Sequence, residues 1–193
     1  MKIIIGITGA SGSVLAARAI DYLASHGHEP HVVASANGEK VFAYEMKKPL
    51  ADFLKCYKYI TFHDGADLFS PLASGSNSPD AMIIIPCSMA TLGKLASVTG
   101  DNLLCRAADC CLKERVPLVI CPRESPLTAA HLRNMLALAE MGAVIAPPMP
   151  AFYSAPKSVD EIVDGIVGRA LKAAGVENEM YARWNSSALF CST

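Results

Sequence analysis

Short apolar segments alternate along the chain with longer segments of helical periodicity, and this alternation constrains the fold more than any other feature. The predicted strands cover residues 2–8, 30–35, 81–86, 117–121 and 143–146. The predicted helices cover residues 13–25, 38–46, 89–96, 102–114, 128–141 and 159–173. Strands that alternate with helices pair in parallel and carry helices on both faces, so the pattern predicts a three-layer α/β/α fold.

The length of the chain allows one domain and no more. Its 193 residues are enough for one substantial core and too few for two ordinary domains. Hydrophobic residues make up 52% of the chain and charged residues only 18%, which leaves little polar surface for a monomer of this size. We therefore expect a single-domain subunit of a homo-oligomer.

Charge and hydropathy exclude several classes of partner. The formal net charge is −1 and there is no basic cluster, which argues against binding to nucleic acid. The longest apolar runs, such as 82–85, are far shorter than the roughly 20 residues needed to cross a bilayer, so we expect no contact with a membrane. The amino-terminal residues lead directly into the first predicted strand and lack a secretory cleavage site, which predicts a cytoplasmic protein.

The cysteines predict neither a zinc site nor a disulfide framework. They are odd in number, and they form no CxxC pair and no Cys/His array at zinc spacing. Most lie inside apolar segments, so we expect buried free thiols. The seven are Cys56, Cys87, Cys105, Cys110, Cys111, Cys121 and Cys191.

Two segments do not fit the alternation and are predicted to be loops. Residues 62–79 are rich in Ser, Gly, Asp and Pro, and residues 146–156 contain four prolines. Long loops at strand ends are where such folds keep their sites. Residues 174–193 lose periodicity but carry Tyr181, Trp184 and Phe190, so we expect a tail that follows the 1–173 domain and docks on a neighbouring subunit.

A glycine turn closes the first strand and opens the first helix. It reads GITGASG over residues 6–12, where free backbone amides and the helix dipole would attract an anion. Its glycine spacing differs from the dinucleotide fingerprint, so a mononucleotide fits better than NAD. A tight turn without a ligand explains the glycines equally well.

Polar residues also follow two later strands. Ser88 is placed to cap a helix, with Thr91 in its first turn, and a plain helix cap is a serious alternative to a ligand contact. Arg123 and Glu124 follow the strand that ends at Cys121, which places them at the expected ligand-facing edge of the sheet. Arginine suits a phosphate and glutamate suits proton transfer, although a solvated loop pair is the more common role.

Four further residues are candidates for an anion site. Arg106 and Lys113 lie seven apart on one predicted helix, so both could face one anion, or form a solvated basic stripe. Tyr153 offers a phenol in a proline-rich loop, and Arg169 lies on the last helix. Taken separately, core packing and surface charge explain these two residues.

Taken in order, six segments resemble the UbiX family of flavin prenyltransferases. They are GITGASG (6–12), SPLASGS (70–76), IIPCSMATLGKLA (84–96), DNLLCRAADCCLKERVPLVICPRESPL (101–127), HLRNMLALAEMGAVIAPPMPAFY (131–153) and the Gly-Arg pair at 168–169. The resemblance implies a Rossmann-like flavoprotein that joins reduced FMN to dimethylallyl monophosphate, without a metal ion. Phosphate is released, and the prenylated FMN serves UbiD-type decarboxylases. The family also implies a homododecamer with sites between subunits.

The resemblance assigns a role to each matching position. It implies FMN binding by Gly9, Ala10, Ser11, Ser35, Ser88, Met89, Ala90, Thr91 and Arg123. It implies binding of the dimethylallyl phosphate by Tyr153, Arg169, Lys113 and Arg106. Proton handling would fall to Glu45 and Glu124, with Ser11 beside the flavin. PRESPL stands where the family more often has PRETPL, and residues 67–69 leave the choice of prenyl donor open.

Two other functions remain in competition with prenyl transfer. One is an FMN-dependent cysteine decarboxylase of the related fold, but the first predicted helix has no histidine and residues 146–150 do not continue as the substrate motif of that class. The other is a non-catalytic flavin carrier subunit, for which the charged candidates would be superfluous. Serine hydrolysis is a poor interpretation, since the serine turns lack GxSxG.

Overall fold

A parallel sheet of six strands forms the centre of the computed structural model, which describes residues 1–184. The strands are β1 (Lys2–Ile7), β2 (Glu29–Ala34), β3 (Thr61–His63), β4 (Ala81–Cys87), β5 (Leu118–Pro122) and β6 (Val144–Ile145). They lie in the order β3-β2-β1-β4-β5-β6, and all neighbours pair in parallel. This is the strand order of a doubly wound Rossmann sheet, with its switch point between β1 and β4. The predicted fold class is confirmed.

Helices cover both faces of the sheet. Within the same residues they are α1 (Ser13–Ser25), α2 (Ala36–Met46), α3 (Leu50–Leu54), α4 (Met89–Ala96), α5 (Leu103–Lys113), α6 (Ala129–Glu140) and α7 (Val159–Ala173). α1, α2, α3 and α7 pack into the core on one face, and α4, α5 and α6 into the core on the other. The predicted three layers are therefore present.

The first strand shows how the sequence builds these two cores. Side chains of a strand alternate between faces, so Ile3, Ile5 and Ile7 enter the α1 core while Ile4 enters the α5 core. All four are fully buried, and each contributes about 1.5–3 kcal/mol of hydrophobic stabilisation. Gly6 shares the face of Ile4, where a Cβ atom would lie 3.2 Å from Leu104 Cδ1. The strand is thus tightly held on both sides.

Most of the predicted elements are present with bounds that differ by two residues or fewer, but two elements were missed. The segment after α2 forms the short helix α3, and the segment predicted as loop 62–79 begins inside β3. β3 has only three residues and lies at the edge of the sheet, where the polar Thr61 and His63 conceal its pattern. Such a strand is defined by pairing with β2 rather than by its own sequence.

The described part of the tail packs on its own chain. Ala174 and Val176 are buried with α1 and α7, and Asn178 binds the carbonyl oxygen of Gly168. Docking of the tail on a neighbouring subunit stays a prediction, and Phe190 lies outside the described residues. Among residues 1–184, no helix combines the length and the apolar character that crossing a membrane would require.

The cysteines follow the prediction with one exception. Within the described residues all are free thiols, and those on β4, α5 and β5 are buried, whereas Cys56 is exposed. Burial raises the pKa of the Cys111 and Cys121 thiols to about 12, so both are protonated at neutral pH. Cys191 lies outside the described residues.

Candidate active site

A cleft of about 620 Å³ opens at the carboxyl ends of the strands beside the switch point. We call it the strand-end cleft. Gly9 lines it after β1, Ser35 after β2, Asp64 after β3 and Ser88 after β4. Open α/β sheets bind ligands at this position because their loops diverge at the switch point. The volume lies in the range of cofactor pockets.

Two helices begin at this cleft. Ser35 caps α2 by accepting a hydrogen bond from the Gly38 N–H at 3.0 Å, and Ser88 caps α4 by accepting one from the Thr91 N–H at 3.3 Å. The Ser88 hydroxyl also donates to Thr91 Oγ1 at 3.1 Å. Both helices direct the positive ends of their dipoles at the cleft, which favours an anionic group there.

Three glycines allow the backbone around the cleft to pack closely. A Cβ atom on Gly9 would lie 2.7 Å from Asn37 Cβ, and one on Gly38 would lie 2.4 Å from the Ile7 carbonyl oxygen. A Cβ atom on Gly65 would lie 2.6 Å from the Ala34 carbonyl oxygen. Each glycine therefore lets two backbone segments approach more closely than any other residue would allow.

Thr8 fixes the turns after β1 and β4 to each other. Its buried hydroxyl donates to the Pro86 carbonyl oxygen at 2.8 Å and accepts from the Ser88 N–H at 2.7 Å. The hydroxyl group thus satisfies two backbone groups beside the switch point. The two sides of the cleft are held in one geometry by this contact.

The glycine turn binds an anion of its own chain. The Glu45 carboxylate on α2 accepts hydrogen bonds from the backbone N–H groups of Gly12 at 3.0 Å and Ser13 at 2.8 Å. The Gly12 amide belongs to the turn in which the sequence predicted free amides, and for this amide the prediction is wrong, because the side chain of Glu45, 33 residues away, occupies it. The Ser13 amide lies just beyond that turn.

This environment keeps Glu45 ionised. Burial alone would raise the pKa of its carboxyl group, but hydrogen bonds from the Ser11 side chain and from the Ser13 and Gly12 backbone outweigh burial. The net effect is a pKa below the ordinary value for glutamate. Glu45 is therefore a hydrogen-bond acceptor and a potential base, held next to Ser11.

Arg123 and Glu124 lie on the exposed loop after β5. The Arg123 Nε group donates to the Ser11 carbonyl oxygen at 3.2 Å, and its backbone N–H donates to the Cys87 carbonyl oxygen at 3.0 Å. Arg123 thus joins the glycine turn to the β4 and β5 ends. The Glu124 Oε1 atom accepts from the Ser125 N–H at 3.0 Å, and the side chain is exposed.

A second, smaller cavity of about 180 Å³ lies between the proline-rich loop and α7. Tyr153 and Arg169 both line it, so the structure brings these two predicted residues together. We call it the Arg169 cavity. Tyr153 belongs to a single helical turn (Phe152–Ser154) and is 49% exposed. Arg169 forms no ion pair with any residue in the described range 1–184.

The remaining predicted residues divide into two groups. Ala90 and Thr91 line the strand-end cleft with Gly9, Ser35 and Ser88. Their neighbours in the sequence do not: Ala10 is buried, and Met89 packs against the α5 core.

Arg106 and Lys113 do not reach either cavity of their own chain. They share one face of α5, as predicted, but this face looks toward residues 73–75. Arg106 donates to the Ala73 carbonyl oxygen at 3.1 Å and pairs with Asp109, and Lys113 pairs with Glu114. The expectation that they join Tyr153 and Arg169 is not met within one chain.

Several lining residues escaped the sequence analysis. Asn37, Asp64, Lys94 and Asn102 line the strand-end cleft, and residues 180–182 line the Arg169 cavity. Asp64 follows the undetected strand β3, so recognising that strand would have located it. No sequence signal placed the tail at the second cavity. Within residues 1–184, no three His, Cys, Asp or Glu side chains are grouped to hold a metal ion.

Relatives with an assigned activity align with nearly the whole chain. It is 42% identical to the flavin prenyltransferase UbiX of Methanocaldococcus jannaschii, with 96% of this chain and 100% of the relative aligned. It is 43% identical to the flavin prenyltransferase UbiX of Halalkalibacterium halodurans, with 93% and 91% aligned.

Solved structures agree with this relationship. A dodecameric FMN-dependent UbiX-like decarboxylase from Escherichia coli O157:H7 superposes with a TM-score of 0.91 at 41% identity, covering 96% of this chain and 100% of that one. A UbiX protein in complex with FMN and dimethylallyl pyrophosphate also has a TM-score of 0.91, at 38% identity, covering 96% and 97%. The profile of the Flavoprotein family matches residues 1–171. The chain therefore belongs to the Flavoprotein family, among the UbiX flavin prenyltransferases.

Proposed function

We propose that the chain is a flavin prenyltransferase, which joins reduced FMN to dimethylallyl monophosphate and releases inorganic phosphate. The observation that carries the proposal is a pair of cavities with different chemistry in one subunit. The strand-end cleft offers helix amino termini and hydroxyl groups, and the Arg169 cavity offers a phenol and an arginine that has no ion pair within residues 1–184. A nucleotide and a small organic phosphate match this pair.

The residues of the strand-end cleft fit FMN. The starts of α2 and α4 suit its phosphate, and the carboxylates of Glu39 and Asp64 can accept hydrogen bonds from ribityl hydroxyl groups. Gly9 and Gly65 line the cleft without side chains, so a ligand there can contact the backbone directly. Ser11 on the glycine turn and Arg123 on the loop after β5, which are hydrogen-bonded to each other, would lie beside the isoalloxazine.

The Arg169 cavity fits the phosphate of the prenyl donor. The planar guanidinium of Arg169 can bind two phosphate oxygens at once, and the Tyr153 hydroxyl can donate to a third. Nearby Ala151, Ile162 and Met180 provide apolar surface for a five-carbon chain. Such fixed donors stabilise the charge that develops on oxygen when an allylic carbon–oxygen bond breaks.

The carboxylates of the chain have separate roles in this proposal. Reduced FMN supplies the nucleophilic atoms of the reaction. Glu45 is ionised and bound to the glycine turn, so it accepts a proton by way of Ser11. The resemblance to the UbiX family assigns Glu124, the exposed residue next to Arg123, as the acid that gives a proton to the departing phosphate.

The proposed assembly explains the position of Arg106 and Lys113. In a homo-oligomer, and in a dodecamer if this chain follows its Escherichia coli relative, their face of α5 would reach the Arg169 cavity of another subunit. The exposed apolar side chains of Leu132 and Leu136 on α6 and of Phe69 are available for such contacts. Independence from metal ions, a cytoplasmic location and delivery of the product to a UbiD-type decarboxylase stay predictions.

The direct test is anaerobic incubation of the protein with reduced FMN and dimethylallyl monophosphate, followed by mass spectrometry of the extracted flavin. The proposal expects a gain of one dimethylallyl unit, with release of phosphate. A parallel reaction with the diphosphate identifies the preferred donor. Bound but unmodified FMN with both donors would contradict the proposal and favour a cysteine decarboxylase or a flavin carrier.

A further inference from the structure

The segment that follows α7 is locked to that helix. The Asn178 side chain donates to the carbonyl oxygens of Gly168 at 2.9 Å and Val176 at 3.1 Å, and it accepts from the Met180 N–H at 3.2 Å. Gly168 makes this packing possible, because a Cβ atom there would lie 2.7 Å from Asn178 Oδ1 and 2.9 Å from Tyr181 Cδ1. We call residues 176–184 the C-terminal strap.

The C-terminal strap contacts both polar residues of the Arg169 cavity. The Arg169 guanidinium lies over the Tyr181 ring, with its carbon 5.5 Å from the ring centroid. The Tyr153 hydroxyl donates to the Ala182 carbonyl oxygen at 3.4 Å. The Tyr153 ring meets the Trp184 ring edge to face, with centroids 5.5 Å apart.

The acidic residues of the cavity are already engaged. Asp164 pairs with Arg18 across the α1–α7 contact, and the Glu161 carboxylate accepts from the Lys157 N–H at 2.7 Å. Arg169 is therefore the cation of this cavity that has no carboxylate partner within residues 1–184. Its only charge-related contact among those residues is the aromatic face of Tyr181.

We propose that the C-terminal strap is part of the donor site, with Tyr181 as a positioning residue for Arg169 and the Ala182 carbonyl as a temporary acceptor for Tyr153. The inference rests on the proposed prenyl transfer. A guanidinium that stacks on a ring keeps its in-plane N–H groups free, so Tyr181 orients Arg169 without occupying its donors.

Tyr153 behaves differently from Arg169 in this arrangement. Its hydrogen bond to Ala182 is long, whereas a phosphate oxygen is a charged and stronger acceptor. When the donor binds, the Tyr153 hydroxyl therefore gives up its hydrogen bond to the C-terminal strap and donates one to the phosphate. Since the Tyr153 ring also contacts Trp184, the environment of Trp184 changes when the donor binds.

Substitutions of the C-terminal strap test its role through steady-state kinetics. Tyr181→Leu is expected to raise the KM for dimethylallyl monophosphate about two- to five-fold, as expected for loss of an exposed cation–π contact, with kcat and FMN affinity retained. Tyr181→Phe keeps the ring and should restore the KM. Glu179→Ala changes an exposed residue that does not line the Arg169 cavity, and it serves as the matched control.

Gly168→Ala displaces the whole segment without weakening α7, because alanine favours a helix. Its added methyl group would lie within 3 Å of Asn178, Met180 and Tyr181, so we expect a larger rise in KM than for Tyr181→Leu. An unchanged KM in both variants would overturn the proposal. The wild-type protein distinguishes this proposal from the proposed function. If the wild type does not prenylate FMN, the proposed function fails; if only the variants leave the KM unchanged, the role of the C-terminal strap fails.

Tryptophan fluorescence gives a readout that needs no turnover. Trp184 is the single tryptophan of the chain, so its emission reports on the C-terminal strap in the FMN-loaded protein. During titration with dimethylallyl monophosphate, the emission of Trp184 should change until it reaches a plateau. In Arg169→Ala, the midpoint of this change should lie at a higher donor concentration. If the emission stays constant while the donor binds, the proposed change in the hydrogen bond of Tyr153 is overturned.

Discussion

The strand-end cleft and the Arg169 cavity are built in different ways. The cleft is defined by backbone: glycines that admit close approach, serine-capped helices and the buried Thr8 hydroxyl. The Arg169 cavity is defined by side chains of a loop, a helix and a tail, and its residues are largely exposed. Under the proposed function, FMN binds in the strand-end cleft, which we call the flavin end, and the prenyl phosphate binds in the Arg169 cavity, which we call the phosphate end. The proposal adds Arg106 and Lys113 of another subunit to the phosphate end only.

The largest effect on turnover is expected from a variant that leaves the binding of both ligands intact. Glu124→Gln preserves the shape of the side chain and removes its capacity for proton transfer, so kcat should fall by about 10²- to 10⁴-fold. FMN affinity and the KM for the donor should stay close to wild type. Single-turnover measurement of flavin prenylation checks this, and normal turnover would refute the role of Glu124.

Arg169→Ala should weaken binding of the prenyl donor without weakening binding of FMN. Removal of a charge-assisted, bidentate contact should raise the KM for dimethylallyl monophosphate by about 10- to 100-fold. The KM of Arg169→Lys should lie between those of the wild type and Arg169→Ala, since lysine keeps the charge and loses the planar fork. FMN binding, followed by quenching of flavin fluorescence, should not change. Equal loss of both ligands would show that the two ends are not independent.

Gly9→Ala makes the converse change at the flavin end. Its Cβ atom would lie 2.7 Å from Asn37 Cβ, so the start of α2 must shift and FMN affinity should fall about tenfold. Gly93→Ala is the matched control, because its nearest neighbour would lie at an ordinary 3.5 Å. Equilibrium dialysis with FMN distinguishes them, and equal affinities would show that the Gly9 approach is unimportant.

The smallest expected effect is the loss of stability in Glu45→Gln. The pKa of Glu45 is lower in the folded chain than in the unfolded one, so the charged form stabilises the fold above the unfolded pKa. This contribution is lost as the pH falls through the folded pKa. We expect the variant to lower Tm by about 3 °C at pH 7, and the gap to close in acid. A gap that is independent of pH would contradict the ionised carboxylate.

The sequence predicted the strand-end cleft far better than the Arg169 cavity, for a physical reason. Glycine turns and helix caps act locally, so GITGASG and the Ser88 cap were visible as patterns. Occupation of the glycine turn by Glu45 depends on a contact across 33 residues, and no local pattern shows it. The same holds for Tyr181 over Arg169, which exists only because the tail folds back past Gly168.

The most direct test of a phosphate end shared between subunits is complementation in mixed oligomers. Lys113→Ala and Arg169→Ala chains, each poorly active alone, would be co-expressed with different tags and the doubly tagged oligomers assayed for prenylation of FMN. If Lys113 serves the cavity of another chain, about a quarter of the sites in a random mixture carry both wild-type residues, and activity recovers accordingly. Mixed oligomers no more active than their parents would contradict a shared site.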